Sequence, residues 1–180
     1  MPVFFHVRDL EVRARQFDEE IEPGAIDFQQ GARDRDANLR QAGVLKAAGR
    51  AELVLGSLGE IKVSGHISGE MTADCDRCLE PARFPIDSDF SLYYRPVEEG
   101  YGDEKEIDTG EAEMGFYEGD SLELNDVFRE QILLALPMQR LCKEDCKGIC
   151  PACGQNRNQS ECACRQAATD DRWAALKQLQ

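Results

Sequence analysis

The most regular stretch of the chain is residues 84–94, where Phe84, Ile86, Ser88, Phe90, Leu92 and Tyr94 take every second position. Period-two alternation over this length predicts a half-buried strand. Ahead of it, Ile61, Val63, Gly65 and Ile67 alternate with polar neighbours, and Gly56, Gly59 and Gly69 punctuate the run. Glu52–Leu55 adds a short apolar stretch. Residues 61–94 therefore predict antiparallel strands, with Cys75 and Cys78 near a turn between them. Leu10–Ala14 also alternates and predicts a strand, whereas residues 22–50, rich in Gly, Asp, Arg and Gln, read mostly as loop.

Two helices are predicted further on. Asn125 is a candidate N-cap, with Asp126 suited to the positive end of the helix. Val127, Phe128, Ile132, Leu133 and Leu136 form an apolar face, and Pro137 ends the helix. A short terminal helix is expected at about 170–179, capped by Thr169, with Asp170 and Asp171 in its first turn and Trp173 and Leu176 on one face. Trp173 is expected to anchor that helix to its domain.

Composition narrows the class. With 180 residues and 42% hydrophobic content, one modest core domain and a small appendage are expected, divided at 1–140 and 141–180. No apolar run approaches the roughly 18 residues a membrane span needs. The N-terminus turns charged too soon for a signal peptide. The expected location is therefore the cytoplasm, where thiols stay reduced. The formal net charge is −14, opposite to the basic surface that neutralises phosphates. It is unevenly spread. Between residues 98 and 126 twelve acidic side chains face Lys105 alone, which predicts a solvated acidic loop at about 98–122 or a docking surface for a basic partner. From Arg140 onward seven basic residues outnumber five acidic ones, so phosphate contact is expected in the tail.

The candidate chemistry lies in eight cysteines. Cys142, Cys146, Cys150 and Cys153 are followed by the Cys162-x-Cys164 pair, and Cys75-Asp76-Arg77-Cys78 stands apart. In a reducing compartment such pairs point to metal or redox chemistry, and eight thiols make two complete four-ligand sets for zinc. Cys150-Pro151-Ala152-Cys153-Gly154 is the strongest local signal, since Pro fixes φ and Gly permits the tight turn that converges two sulfurs. Cys150, Cys153, Cys162 and Cys164 are one expected zinc site. Cys75 and Cys78 need a second pair, and Cys142 and Cys146, spaced i, i+4, supply it. A local grouping of Cys142, Cys146, Cys150 and Cys153 competes with this partition, and spacing alone does not decide between them. His6 and His66 are the only histidines and sit in no nucleophile or HExxH motif. No P-loop or dinucleotide-binding motif is present, so a non-enzymatic protein with no small-molecule substrate is expected. The fold expected is α+β. Its parts are an antiparallel sheet that could close into a barrel, one packed helix, and a zinc-knuckle tail with a short helix.

Several of these segments together resemble the YceD family of bacteria and plastids. They are Cys75-Asp76-Arg77-Cys78-Leu79, Leu133-Leu134-Ala135-Leu136-Pro137-Met138, the run from Cys142 through Cys146-Lys147-Gly148-Ile149-Cys150-Pro151 to Cys153-Gly154, and Asp171-Arg172-Trp173. The resemblance spans most of the chain and is most specific over 133–173. It implies a factor in the accumulation or processing of large-subunit ribosomal RNA, encoded in many genomes beside a large-subunit ribosomal protein. It also implies the long-range cysteine partition, because some members lack the second tail motif yet keep ligands at positions like Cys142 and Cys146. Expected partners are large-subunit rRNA or a pre-ribosomal particle, and a basic ribosomal protein. Lys143, Lys147, Arg157 and Arg165, around the cysteines, are the candidate RNA contacts. A redox-sensing zinc chaperone is the alternative, since a CxxC plus CxC set can hold zinc when reduced and form disulfides when oxidised.

Overall fold

Strand β4 (Leu45–Leu53) lies between β2 (Arg15–Ile21) and β5 (Ile61–Asp74), antiparallel to both. These come from a computed structural model that describes residues 3–29, 38–97 and 114–164. The chain divides into two compact units. One comprises Met1–Ala73 and Arg83–Met138, the other Asp74–Ala82 and Gln139–Gln180. The CxxC turn is thus grouped with the tail and not with residues 1–140.

In the first unit the main sheet runs β2-β4-β5-β6-β7, with the two-residue β3 (Arg40–Gln41) also paired to β5. Strand β6 (Pro81–Pro96) carries the predicted alternation, burying Ala82, Phe84, Ile86, Phe90 and Tyr94. A separate two-stranded sheet pairs β1 (Phe4–His6) with β8 (Ser121–Glu123). Helix α2 (Leu124–Ala135) buries Leu124, Val127, Phe128, Gln131 and Ile132. It ends at Leu136, whose ψ of 143° is the extended backbone a following proline demands.

The packing turns on one aromatic ring. Phe17 pairs in register with Gly49, which pairs with Gly65. A Cβ on Gly49 would stand 2.6 Å from Phe17 Cζ and 2.7 Å from Gly65 Cα. The ring therefore lies across two glycines that leave it room. Phe5 and Phe128 flank it with centroids 6.1 and 5.7 Å away, which joins strands, sheet and helix in one cluster.

Several expectations are corrected. The sheet does not close into a barrel: its order has two ends, and its last member β7 (Met114–Tyr117) runs parallel to β6. Residues 7–12 form helix α1 (Val7–Val12) and not a strand. Five alternating residues could not distinguish the two, and Leu10 alone is buried there. Residues 45–50, expected as loop, belong to β4, whose inward positions include Leu45, Ala47 and Ala51, with Gly49 close under Phe17. Alanine and glycine are too small to register as an apolar period. The run at 52–55 ends as strand at Leu53, and Leu55 is fully exposed. The N-cap is Glu123, with no side-chain capping bond, and the Leu124 N–H donates instead to the Val3 carbonyl. Part of the expected acidic loop is strand, at 114–117 and 121–123. Residues 98–113, the helix expected at 170–179 and Trp173 lie outside the described residues.

Because the atoms around Gly49 include backbone, they cannot yield. Gly49→Ala is expected to cost about 2 kcal/mol, seen as a lower midpoint in thermal unfolding. Gly43→Ala, with nothing within 4 Å of the added carbon, should leave the midpoint essentially unchanged.

Candidate metal centre

The second unit contains two copies of one backbone motif. At the first, the Cys75 N–H donates to the Glu80 carbonyl (2.9 Å) and the Leu79 N–H to the Cys75 carbonyl (2.9 Å). At the second, the Cys150 N–H donates to the Gln155 carbonyl (2.8 Å) and the Gly154 N–H to the Cys150 carbonyl (2.8 Å). The offsets are identical, so Leu79 stands where the second copy has glycine. Both have positive φ, 61° at Leu79 and 74° at Gly154. That conformation costs a β-carbon-bearing residue about 1 kcal/mol, yet Leu79 is exposed and its side chain gains little by burial.

Each motif brings two sulfurs together, and a second pair completes each set. Cys75, Cys78, Cys142 and Cys146 have all four sulfurs within 4.8 Å of one another, and so do Cys150, Cys153, Cys162 and Cys164. The structure thus groups the cysteines across long range and does not assemble the local set Cys142, Cys146, Cys150 and Cys153. In the first set the Cys75–Cys146 sulfurs are 3.8 Å apart and the Cys78–Cys142 sulfurs 3.6 Å. A tetrahedron with metal–sulfur bonds of about 2.3 Å has edges of about 3.8 Å. These distances are far from the roughly 2.0 Å of a disulfide, and all eight cysteines are free. The donor sets fit a closed, four-thiolate structural zinc site, whose chemistry is cross-linking. Three members of the first set are buried, whereas in the second Cys150 alone is buried.

The surroundings of the first set come from residues the cysteine spacing does not reveal. Asp76 and Arg140 exchange two hydrogen bonds, Asp76 N–H to the Arg140 carbonyl (2.7 Å) and Arg140 N–H to Asp76 Oδ2 (2.8 Å). Arg77 donates to the Cys146 carbonyl (3.1 Å), and its own carbonyl accepts from the Ile149 N–H (2.9 Å). Gly148 lies so close that a Cβ would come within 2.9 Å of that Arg77 carbonyl. Asn158 donates to the Cys146 sulfur (3.3 Å) and accepts from the Lys147 N–H (2.9 Å). Asp76 and Asn158 carry no ligand signal of their own in the sequence. Their partners lie too far along the chain to be seen in any local pattern.

Protonation follows this geometry. Burial raises the Cys75 thiol, but hydrogen bonds from the backbone at Arg77, Cys142 and Cys78 outweigh it and bring the pKa down to about 6. Cys146 is likewise raised by burial and brought below the ordinary value, chiefly by Asn158. Burial pushes Cys78 up, and pushes Cys142 up to about 12 with help from its neighbouring thiols. In the second set, backbone hydrogen bonds at Cys153 and Ala152 bring Cys150 down to about 6, while its sulfur partners raise Cys162, and Cys164 to about 12. Each set therefore mixes thiolates with thiols that must lose protons when a cation binds.

The candidate RNA contacts separate. Lys147 and Arg157 line one cleft of about 330 Å³ with Cys150, Cys162, Cys164 and Glu161. Lys143 is paired with Asp145 at 3.7 Å. Arg165 lies outside the described residues.

Two outcomes are expected. Cys78→Ser and Cys146→Ser should each lower bound zinc from about two ions to about one per chain, measured by elemental analysis. Unchanged content in Cys78→Ser would reject the long-range set. Separately, Cys78 and Cys142 hold their protons at neutral pH, so zinc must displace them. Apparent affinity should rise with pH above neutrality and fall on acidification, about a hundredfold per pH unit if two protons leave per ion. Competition with a chromophoric chelator measures this.

Comparisons with known proteins bear on the same residues. The chain is 28% identical over 177 residues to the large ribosomal RNA subunit accumulation protein YCED homolog 1, chloroplastic, of Zea mays, covering 85% of this chain and 57% of that protein. It is 23% identical over 179 residues to the uncharacterized protein YlbN of Bacillus subtilis (strain 168), covering 97% and 93%. An uncharacterized protein of Mycobacterium tuberculosis (strain ATCC 25618 / H37Rv) is 28% identical over 120 residues, covering 66% and 55%. The chain thus spans about half the length of that mycobacterial relative. No solved structure matches. The model of the family described as large ribosomal RNA subunit accumulation protein YceD matches residues 63–180, a span that includes both cysteine sets, and the chain belongs to the YceD family.

Proposed function

We propose that this protein is a non-enzymatic factor of ribosome biogenesis. It supports accumulation or processing of large-subunit ribosomal RNA, with two structural zinc ions holding its cysteine unit in shape. The observation that carries the reading is family membership over 63–180, the stretch that holds all eight cysteines. The Zea mays and Arabidopsis thaliana relatives are named for large ribosomal RNA subunit accumulation.

The cysteine unit is the RNA-facing part in this reading. Net charge alone disfavours RNA, but Lys147 and Arg157 line one cleft, where they would meet phosphate oxygens. A four-thiolate zinc carries two net negative charges, so these cations also offset the site beside them. The partner is large-subunit rRNA, alone or in a pre-ribosomal particle.

A second reading has one observation in its favour. Cys153 and Cys164 of the tail set are exposed, so a peroxide can reach them. As a redox-sensing chaperone, the protein would release the tail ion on mild peroxide treatment and gain the ability to hold unfolded proteins.

Sucrose-gradient profiles of cells lacking the protein should show a selective shortfall of large-subunit rRNA, restored by the wild-type chain and not by Cys78→Ser. An unchanged profile rejects the first reading. The double change Lys147→Ala with Arg157→Ala should keep about two zinc ions per chain while weakening binding to large-subunit rRNA segments several-fold. Loss of zinc in that variant would instead assign the two cations to the metal site.

A further inference from the structure

The first unit has a groove of about 510 Å³ that the proposed function does not use. Strands β7 and β8, β6 Tyr94 and helix α2 line it, and four carboxylates, Glu118, Glu123, Asp126 and Glu130, stand around it with no cation in the lining. None of the four is ion-paired to a described cation, unlike Asp120 nearby, which has Arg8 at 3.6 Å. The field they set up registers on Tyr94, whose hydroxyl is held to its proton first by burial and then by Glu130 and Asp126.

Two further features are independent of charge. Phe4 and Phe116 line the groove yet are about half exposed, at 45% and 59%. Large apolar rings left in water at a concave surface point to a partner that covers them. Beside carboxylates they also suit a guanidinium or ammonium group stacked on the ring face. Among the described residues, β7 is hydrogen-bonded only to β6 and β8 only to β1. Each strand thus has one edge without a described strand partner, and both strands line the groove. Such an edge takes an extended chain.

The sequence supplies no suitable occupant from nearby. Residues 98–113, which lead into β7, carry eight acidic side chains against Lys105 and would be repelled by four more. Nucleic acid is disfavoured on the same ground.

We infer that this groove is a docking site for an extended arginine- and lysine-rich segment of a partner protein. The backbone of the segment runs along the strand edge. Its cationic side chains meet Glu118, Glu123, Asp126 and Glu130 and stack on Phe4 and Phe116. This goes beyond the proposed function, and its test does not depend on rRNA levels or on zinc.

The test uses the full chain and a short fluorescein-labelled arginine-rich peptide, read by anisotropy. The triple change Glu123→Gln, Asp126→Asn and Glu130→Gln should weaken binding about tenfold or more. Phe116→Ala should weaken it roughly two- to fivefold. The charge-matched triple on β2, Asp18→Asn, Glu19→Gln and Glu20→Gln, should change it by less than about twofold. Equal losses from both triples would mean that the peptide senses only net charge, and would overturn the proposal, as would failure of the peptide to bind. If the groove variant does not fold, amide chemical shifts of the wild-type chain decide. Peptide-induced changes centred on residues 114–130 support the site, and changes centred elsewhere reject it. An RNA oligonucleotide that displaces the peptide from the groove would also overturn it.

Discussion

Among the described residues of the second unit, sulfur takes the place of a hydrocarbon core. Its buried apolar residues, among those described, are Cys75, Cys78, Ala82, Cys146 and Cys150. Burial of one alanine and four thiols, among the described residues, offsets little of the conformational entropy of ordering them. The convergence of the sulfurs is, among the described residues, the main long-range cross-link within this unit. The Cys78–Cys142 contact links positions 64 residues apart. The intervening chain is largely the first unit, so the two stretches that form the second meet only after a long excursion, and a cross-link there removes a correspondingly large loop entropy.

The two knuckles share a hydrogen-bond pattern but differ in exposure and in one residue. Glycine at 154 relieves the left-handed turn, while Leu79 accepts the strain and leaves its side chain in water. The buried set is embraced by Asp76, Arg77, Arg140, Gly148 and Asn158, each acting on backbone or sulfur. The tail set relies mainly on its own backbone, with Cys150 held down by amides of its own turn. Two four-cysteine sets thus sit in unlike surroundings, one enclosed and one open to solvent.

Much of this was legible in the chain. Alternation from Phe84 to Tyr94 is a property of neighbouring residues, and the strand appears where it predicts. The cysteine pairs are also local, and the tail turn follows from Pro151 and Gly154, whereas the first turn holds Leu79 at positive φ. Strand β4 was not legible, because Ala47, Gly49 and Ala51 carry no apolar signal. Their small size matters only once Phe17 lies over the Gly49–Gly65 pair, which is a fact of packing. Helix α1 escaped because its single buried residue, Leu10, fits either period. The parallel strand β7 escaped because its pairing with Tyr93–Pro96 lies across an acidic stretch with no periodicity of its own.

By itself the sequence determined the thiol content of the candidate sites, the places of the two CxxC turns, strands β5 and β6, and the charge contrast between body and tail. All of these depend on residue identity and on spacings of a few positions. It left open which cysteine pairs share a site, since spacing does not measure distance between segments that meet through the fold. The tertiary structure decided that grouping. It also decided that the sheet stays open, that Lys147 and Arg157 line one cleft, and that four carboxylates without a described cation partner gather around exposed phenylalanines. Each of these depends on which strands pair and which surfaces bury, and the spacing of neighbouring residues does not encode it.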